Sequence, residues 1–237
     1  MACGCIFKAK PTNLNLKIEE KPMINKNIIS LPEPSLKGEK SLEETIISRR
    51  SRRNFKSEPL TLNEVSQILW AAQGITDKSQ SKRSAPSAGA LYPLDIYVAV
   101  GKGGIGAIHE LPLLNKGVYH FLPEEHSLEV ILKGKDVRDS LADACFGQMF
   151  IVDAPVVIVI TAEYSRTIGK YGQRGIQYVH QETGHVGQNI YLQVESLGLG
   201  TVTVGAFDKR KISQILNLPE SYIPMYVMPI GHRSSKE

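Results

Sequence analysis

Pro155-Val156-Val157-Ile158-Val159-Ile160 is the most apolar run in the 237-residue chain, and the rest of the fold is read outward from it. Without polar alternation, such a run suits a strand buried on both faces. Downstream, Thr201 to Val204 and Met225 to Ile230 read as strands that close the same sheet, with Asp208 capping a short helix between them. Upstream, Ile96-Tyr97-Val98-Ala99-Val100 is strand-like. Gly117 to Phe121 and Ser127 to Leu132 form a local hairpin across Pro123-Glu124-Glu125-His126.

Two capping boxes mark helix starts. Ser41-Leu42-Glu43-Glu44 opens a helix whose apolar Leu42 and Ile46 lie four apart. Thr61-Leu62-Asn63-Glu64 opens another, in which Leu62, Val65, Leu69 and Ala72 recur at helical spacing up to a stop at Gly74. Trp70 there reads as core. Asp136 to Met149 is expected to be one helix. The longest helical pattern is Arg174 to Leu197, where Ile176, Val179, Thr183, Val186, Ile190 and Val194 trace a broad apolar face that calls for more than one neighbour. Helices mixed among strands with a local hairpin fit an α+β sandwich better than a doubly wound sheet. Gly101 to Gly106 lacks the acidic partner about 20 residues on that a dinucleotide fingerprint requires, and reads as a loop. Residues 1–40 form an extension rich in Lys, Asn and Pro, and residues 41–237 form one domain.

At 42% hydrophobic content the chain can bury one sizeable core. No segment approaches the ~18 apolar residues of a membrane helix. A net charge of +4 asks for no nucleic-acid partner. Cys3, Cys5 and Cys145 are too few for a disulfide framework or a closed zinc site. The Cys3-Gly4-Cys5 pair is read as without a role, a redox-active or metal-loading tail being the lesser alternative. With no apolar signal region ahead of it, the chain is expected to be cytoplasmic.

Chemistry concentrates in two stretches. Ser48-Arg49-Arg50-Ser51-Arg52-Arg53-Asn54-Phe55 places guanidinium forks around a hydroxyl where a helix gives way to extended chain. Such forks suit phosphate oxygens or the carbonyl edge of a heterocycle. A solvated basic helix end, favoured by the C-terminal dipole, explains the same run. Ser84-Ala85-Pro86-Ser87-Ala88-Gly89-Ala90-Leu91-Tyr92-Pro93-Leu94 is a small-residue loop bounded by prolines, where backbone groups can approach a flat ligand.

Together these stretches resemble the nitroreductase family of FMN enzymes, and more closely its SagB/ThcOx-type dehydrogenase branch. The likeness continues through Leu69-Trp70-Ala71-Ala72-Gln73-Gly74, Lys170-Tyr171-Gly172, Glu182 to Asn189 and Val204-Gly205-Ala206-Phe207, and spans about Ser41 to Arg233. It implies an α/β sandwich with a mixed central sheet flanked by helices, in an intertwined homodimer with each flavin touched by both chains. By resemblance, Arg49, Ser51 and Arg53 meet the flavin's phosphate, ribityl chain and pyrimidine edge, and Arg50 contributes through its backbone. Pro86, Ser87, Ala88 and Gly89 approach the ring from the partner chain. Gln148 matches the position whose amide pairs with the ring's polar edge, although an exposed polar helix end accounts for it equally. Val204, Gly205 and Ala206 match a strand-end turn whose N–H groups reach N5 and O4. His232 and Arg233 stand where the family has a basic phosphate pair, but the usual Lys-x-Arg is absent.

Lys170 and Tyr171 point to the dehydrogenase branch, where such a pair is linked to oxidising azoline rings. That reaction needs a base for a carbon-bound proton while flavin N5 takes the hydride, and an ammonium beside a phenol favours the phenolate. A surface loop with a packed tyrosine is the alternative. His185, with Glu182, Gln188 and Asn189 on the long helix, reads as structural or interfacial ahead of substrate contact. Three functions are therefore carried forward. One is dehydrogenation of a small or peptide-derived substrate, another is NAD(P)H-driven reduction of a nitro compound or quinone, and the third is flavin holding or partner binding without turnover.

Overall fold

In the computed structural model, residues 27–106 and 114–234 are described. Its strands are β1 (Ile28–Ser30), β2 (Leu60–Thr61), β3 (Ile75–Asp77), β4 (Lys82–Arg83), β5 (Leu94–Val100), β6 (Ile105–Gly106), β7 (Gly117–Leu122), β8 (Ser127–Lys133), β9 (Val156–Ala162), β10 (Leu199–Thr201) and β11 (Ile223–His232). Its α-helices are α1 (Leu42–Ser48), α2 (Leu62–Gln73), α3 (Arg138–Ala144), α4 (Phe150–Asp153), α5 (Ser165–Tyr171), α6 (Arg174–Ser196) and α7 (Lys209–Leu216).

The apolar run is β9, at the centre of the sheet, with β5 on one side and β11 on the other. Its side chains alternate between two cores. Val156, Ile158 and Ile160 join Ile96, Val98 and Val100 of β5 under α2 and α6. Val157 and Val159 join Tyr97 and Ala99 under α3, α4 and α7. Every β9 residue is buried, and each such aliphatic side chain contributes ~1.5–3 kcal/mol by leaving water. The seven strands run β1-β8-β7-β5-β9-β11-β10. The sheet expected to be mixed is antiparallel at each of these junctions. Parallel pairing is confined to the small β2–β6 ladder, Leu60 opposite Ile105.

Both capping boxes form. Ser41 Oγ accepts the Glu44 N–H at 3.1 Å while Glu44 Oε2 accepts the Ser41 N–H at 2.7 Å, and Thr61 and Glu64 repeat the exchange at 3.1 and 2.7 Å. Helix α2 ends at Gly74, where a Cβ would stand 2.3 Å from Trp70 Cδ1. Trp70 itself is half-buried rather than core, because the last turn of α2 borders a cleft.

The helix expected from Asp136 to Met149 stops at Ala144. Phe146 and Gly147 take φ of 59° and 77°, and the Gly147 N–H closes back on Ala142 O at 3.0 Å. Two consecutive left-handed residues turn the chain out of the helix before α4 begins. Cys145 lies beneath that turn, and burial pushes its thiol up to about 12, which leaves it inert. The strand expected through Val204 ends at Thr201, and Val204 pairs as a single bridge with Val227. From the amino-terminal extension, β1 adds an edge strand to β8, and Lys40 Nζ donates to Glu195 O at 2.9 Å. Cys3 and Cys5 lie outside the described residues. Among those residues no helix is long and apolar enough to cross a membrane.

Candidate active site

The arginine run leaves α1 at Arg49 and crosses the edge of the sheet, where the Arg52 N–H donates to Thr201 O at 2.9 Å. Aromatic rings support it. The Arg49 guanidinium sits 5.2 Å from the Tyr191 ring centroid and that of Arg53 sits 5.7 Å from Phe150. Ser51 Oγ is 3.0 Å from the Tyr191 hydroxyl, whose oxygen accepts the Thr203 N–H at 2.8 Å. Among the described residues neither Arg49 nor Arg53 has an acidic partner. Their forks remain available to an anion. Arg50 turns back to the carbonyls of Ile47 and Arg49 at 3.0 and 2.8 Å, which leaves its backbone rather than its side chain for a ligand.

Gln148 lies on the same side. Its Nε2 donates to Cys145 O at 3.0 Å and reaches Ala206 O at 3.5 Å. Val204 uses its N–H and C=O on Val227, at 2.8 and 3.0 Å. Gly205 and Ala206 are exposed beyond it, so the outward-facing part of this turn begins at Gly205. Arg49, Ser51, Arg53, Gln148 and the turn at residues 204–206 are thus gathered around Tyr191 and Phe150. Sequence reasoning missed both aromatics, since nothing local ties them to the arginines.

His232 and Arg233 are engaged elsewhere. Arg233 Nε donates to Leu199 O at 2.7 Å and its Nη2 pairs with Glu195 Oε2 at 2.7 Å. His232 Nε2 is 3.2 Å from Pro59 O. Burial by itself would raise the Glu195 carboxyl. Hydrogen bonds from Arg233 and Ser48, with the charges of Arg233 and Lys40, hold it below the usual range. This latch fixes the start of the arginine run to α6 and to the last strand.

A second group surrounds the small-residue loop. Ser87 Oγ accepts the Tyr92 N–H at 2.9 Å, and Gly89 takes a φ of 64° in the short 3₁₀ turn at Ala88–Ala90. Ala90 and Tyr92 follow at φ of 53° and 45°, strained values for residues with a Cβ. Beside Gly89 stand Lys170 and Tyr171, on α5 rather than on a loop. A Cβ on that glycine would lie 3.0 Å from Lys170 Nζ. The Tyr171 ring meets Tyr178 edge-on at 5.1 Å, and Lys170 Nζ is 5.5 Å from the Tyr171 ring centroid. Arg166 anchors this helix, reaching Asp95 at 2.8 Å, Glu163 at 2.7 Å, Tyr222 Oη at 2.6 Å and Tyr92 O at 3.1 Å. One guanidinium therefore ties α5 to the end of the loop.

Helix α6 separates the two groups. Asn189 Nδ2 donates to Ser84 O at 3.4 Å and Ala71 O at 3.1 Å on the loop side. Tyr191, on the arginine side, is two positions further, about 200° around the helix. The loop and the arginine run therefore meet different faces of α6.

The nitroreductase family model matches residues 46–232. The chain belongs to the nitroreductase family. It is 48% identical over 192 residues to the nitroreductase homologue MJ1384 of Methanocaldococcus jannaschii, covering 81% of this chain and 91% of that one. It is 24% identical over 176 residues to the microcin B17-processing protein McbC of Escherichia coli, covering 73% of this chain and 62% of McbC. The crystal structure of a nitroreductase homologue from Ralstonia eutropha JMP134 superimposes with a TM-score of 0.74 at 29% identity, over 88% of this chain and 90% of that one. Members of the family are oxidoreductases that generally bind FMN. The antiparallel sheet between helical layers is the family's fold.

Proposed function

We propose that this chain is an FMN-dependent oxidoreductase of the SagB/ThcOx type, which works as a homodimer and dehydrogenates an azoline or another small or peptide-derived substrate. The observation that carries this reading is the Lys170–Tyr171 pair packed on Gly89 of the small-residue loop. The likeness to McbC, a microcin-processing protein, supports it.

The donor set fits FMN. Among the described residues Arg49 and Arg53 have forks without acidic partners, Ser51 lies between them, Gln148 offers an amide, and Gly205 leaves the turn open on its outer side. In this reading Arg49, Ser51 and Arg53 hold the phosphate, ribityl chain and pyrimidine edge, and Gln148 with Gly205 and Ala206 meets the polar side of the ring. Arg233 belongs to Glu195, so the phosphate depends on the arginine run. When bound, FMN supplies a two-electron acceptor at its N5. Tyr171, acting as the phenolate, would take the carbon-bound proton of the substrate and become the neutral phenol, with the Lys170 ammonium beside it to stabilise the phenolate before the transfer. The small residues of the loop let the substrate ring lie close to the backbone.

A second copy completes the site, because one chain keeps its loop and its arginines on opposite sides of α6. Exposed apolar side chains mark where that copy would dock: Leu42, Ile46 and Ile47 on α1, Phe146 and Met149 beside Gln148, and Ile176 on α6.

Tyr171→Phe tests the reading. Fold and FMN content should remain, dithionite should reduce the flavin as before, and flavin reduction by an azoline substrate should slow by ~10²–10⁴-fold in stopped-flow absorbance. An unaltered rate would remove Tyr171 from the chemistry. The relative MJ1384 favours a second reading, an NAD(P)H-dependent nitro or quinone reductase. In that case the variant would oxidise NAD(P)H almost unchanged, since hydride transfer from a nicotinamide needs positioning and no protein base.

A further inference from the structure

Beneath the small-residue loop lies a carboxylate that the mechanism above does not use. Glu182 of α6 is 2% exposed, with Gln73 of α2 at 0% beside it. Its neighbours are the Ser87 hydroxyl, the Gln73 amide and, at longer range, the Arg83 guanidinium. Glu182 Oε1, Gln73 Nε2, Arg83 Nε and Ser84 Oγ are all buried without a hydrogen-bond partner. Polar groups stranded together in an interior are costly, and a fold that needed only packing here would be served by an apolar residue. Ser87 is the link to the site. Its oxygen already accepts the Tyr92 N–H, so its proton is directed away from the loop's own backbone.

We propose that Glu182 is a positioning residue for the Pro86 to Gly89 loop, holding it through the Ser87 hydroxyl while the carboxyl is ionised and loosening it on protonation. The ionised form accepts the Ser87 proton in a charge-assisted bond. The neutral form brings a competing proton to an oxygen already occupied by Tyr92. Burial pushes the Glu182 carboxyl up to about 7, against the opposing pull of Ser87, Gln73 and Arg83, so the exchange falls near neutrality.

Other charged or titratable groups lie around it. From β4 comes Arg83, stacked on Tyr92 at 4.7 Å and paired with Glu124 of the β7–β8 turn at 2.9 Å. From α5 come Lys170 and Tyr171, across the loop at Gly89. On α6 itself Tyr178 is one turn before Glu182 and His185 three residues after it. Arg83 alone among them acts on Glu182 by its charge.

For its catalytic arm this inference rests on the flavin reading, whereas its stability arm does not. In the catalytic arm, FMN reduction is followed by stopped flow from pH 5 to 9 with one hydride donor. The wild type should react about tenfold faster above neutrality than below it, the gain expected of one charge-assisted hydrogen bond. Glu182→Gln and Ser87→Ala should each hold the acid-side rate at every pH, because either change removes the charge-assisted bond. A Glu182→Gln profile that keeps the step would overturn the proposal.

In the stability arm, urea unfolding of the same full-length chains is compared at pH 5 and pH 8. A carboxyl raised by folding stabilises below its unfolded value and loses that contribution as pH rises through the folded one. Wild type should therefore lose stability relative to Glu182→Gln between the two conditions. Parallel behaviour of the two proteins would overturn the linkage even if both are yellow. A slope in a protein that takes up no FMN would keep the linkage and remove the flavin reading instead.

Discussion

The backbone of Gly89 faces the Tyr171 hydroxyl so closely that a Cβ on the glycine would stand 2.8 Å from that oxygen, although the two residues lie on different elements. Gly89→Ala must displace the tyrosine and also place a side chain at a φ of 64°. The strain should lower stability by only about 1 kcal/mol. Turnover should fall far more, by ~10–100-fold, as a shift of a positioned group by a fraction of an ångström costs rate rather than fold. Melting curves beside steady-state rates would separate the two effects, and an unchanged rate would mean that the loop and Tyr171 do not act together.

Arg49→Ala combined with Arg53→Ala should strip the chain of FMN. Each charge-assisted contact contributes roughly 1.5–3 kcal/mol, and no second arginine stands free at Arg233 to compensate. Absorbance of the purified protein near 450 nm and calorimetric titration with FMN would read the loss. Full occupancy in the double variant would place the cofactor elsewhere.

Arg233→Ala leaves Glu195 buried, 4% exposed in its side chain, with its strongest partner gone. Destabilisation of roughly 2–4 kcal/mol is expected, the lower figure allowing for the solvent-accessible part of Arg233. The sign of the pH dependence follows from the lowered Glu195 carboxyl. Its contribution is present above the ordinary carboxylate range and disappears as pH falls through the folded value, so the variant and the wild type should converge in acid. Denaturant midpoints measured from pH 3 to 7 would show the convergence, and a constant gap would assign the loss to packing.

The flavin-loaded protein should be a dimer at low micromolar concentration, with an interface above ~2,000 Å². Light scattering would show it. Replacing exposed Ile47 with Asp should weaken association without unfolding the subunit, because this side chain is 75% exposed in the single chain.

Local patterns carried much of the architecture. Ser41 with Glu44 and Thr61 with Glu64 announce their helices because capping is decided within four residues. The β9 run announces a doubly covered strand because no polar face interrupts it. What escaped depends on distance along the chain. Tyr191 meets Arg49 across more than a hundred residues, and Gly89 meets Lys170 and Tyr171 across some eighty, so no window of sequence contains either pair. The end of α3 is different, since Gly147 is a local stop signal set inside a stretch that otherwise reads as helical.

The placement of the arginine run and the Gly89 loop on opposite sides of α6 has a genetic consequence. If two copies complete each other, a chain damaged only in its arginine run and a chain damaged only in its Gly89 loop each fail as homodimers. Co-expressed, they assemble hybrids in which one pocket inherits both lesions and the other inherits neither. Mixed populations of two inactive alleles would then recover up to half of the wild-type activity per hybrid, whereas two alleles damaged in the same half would recover none.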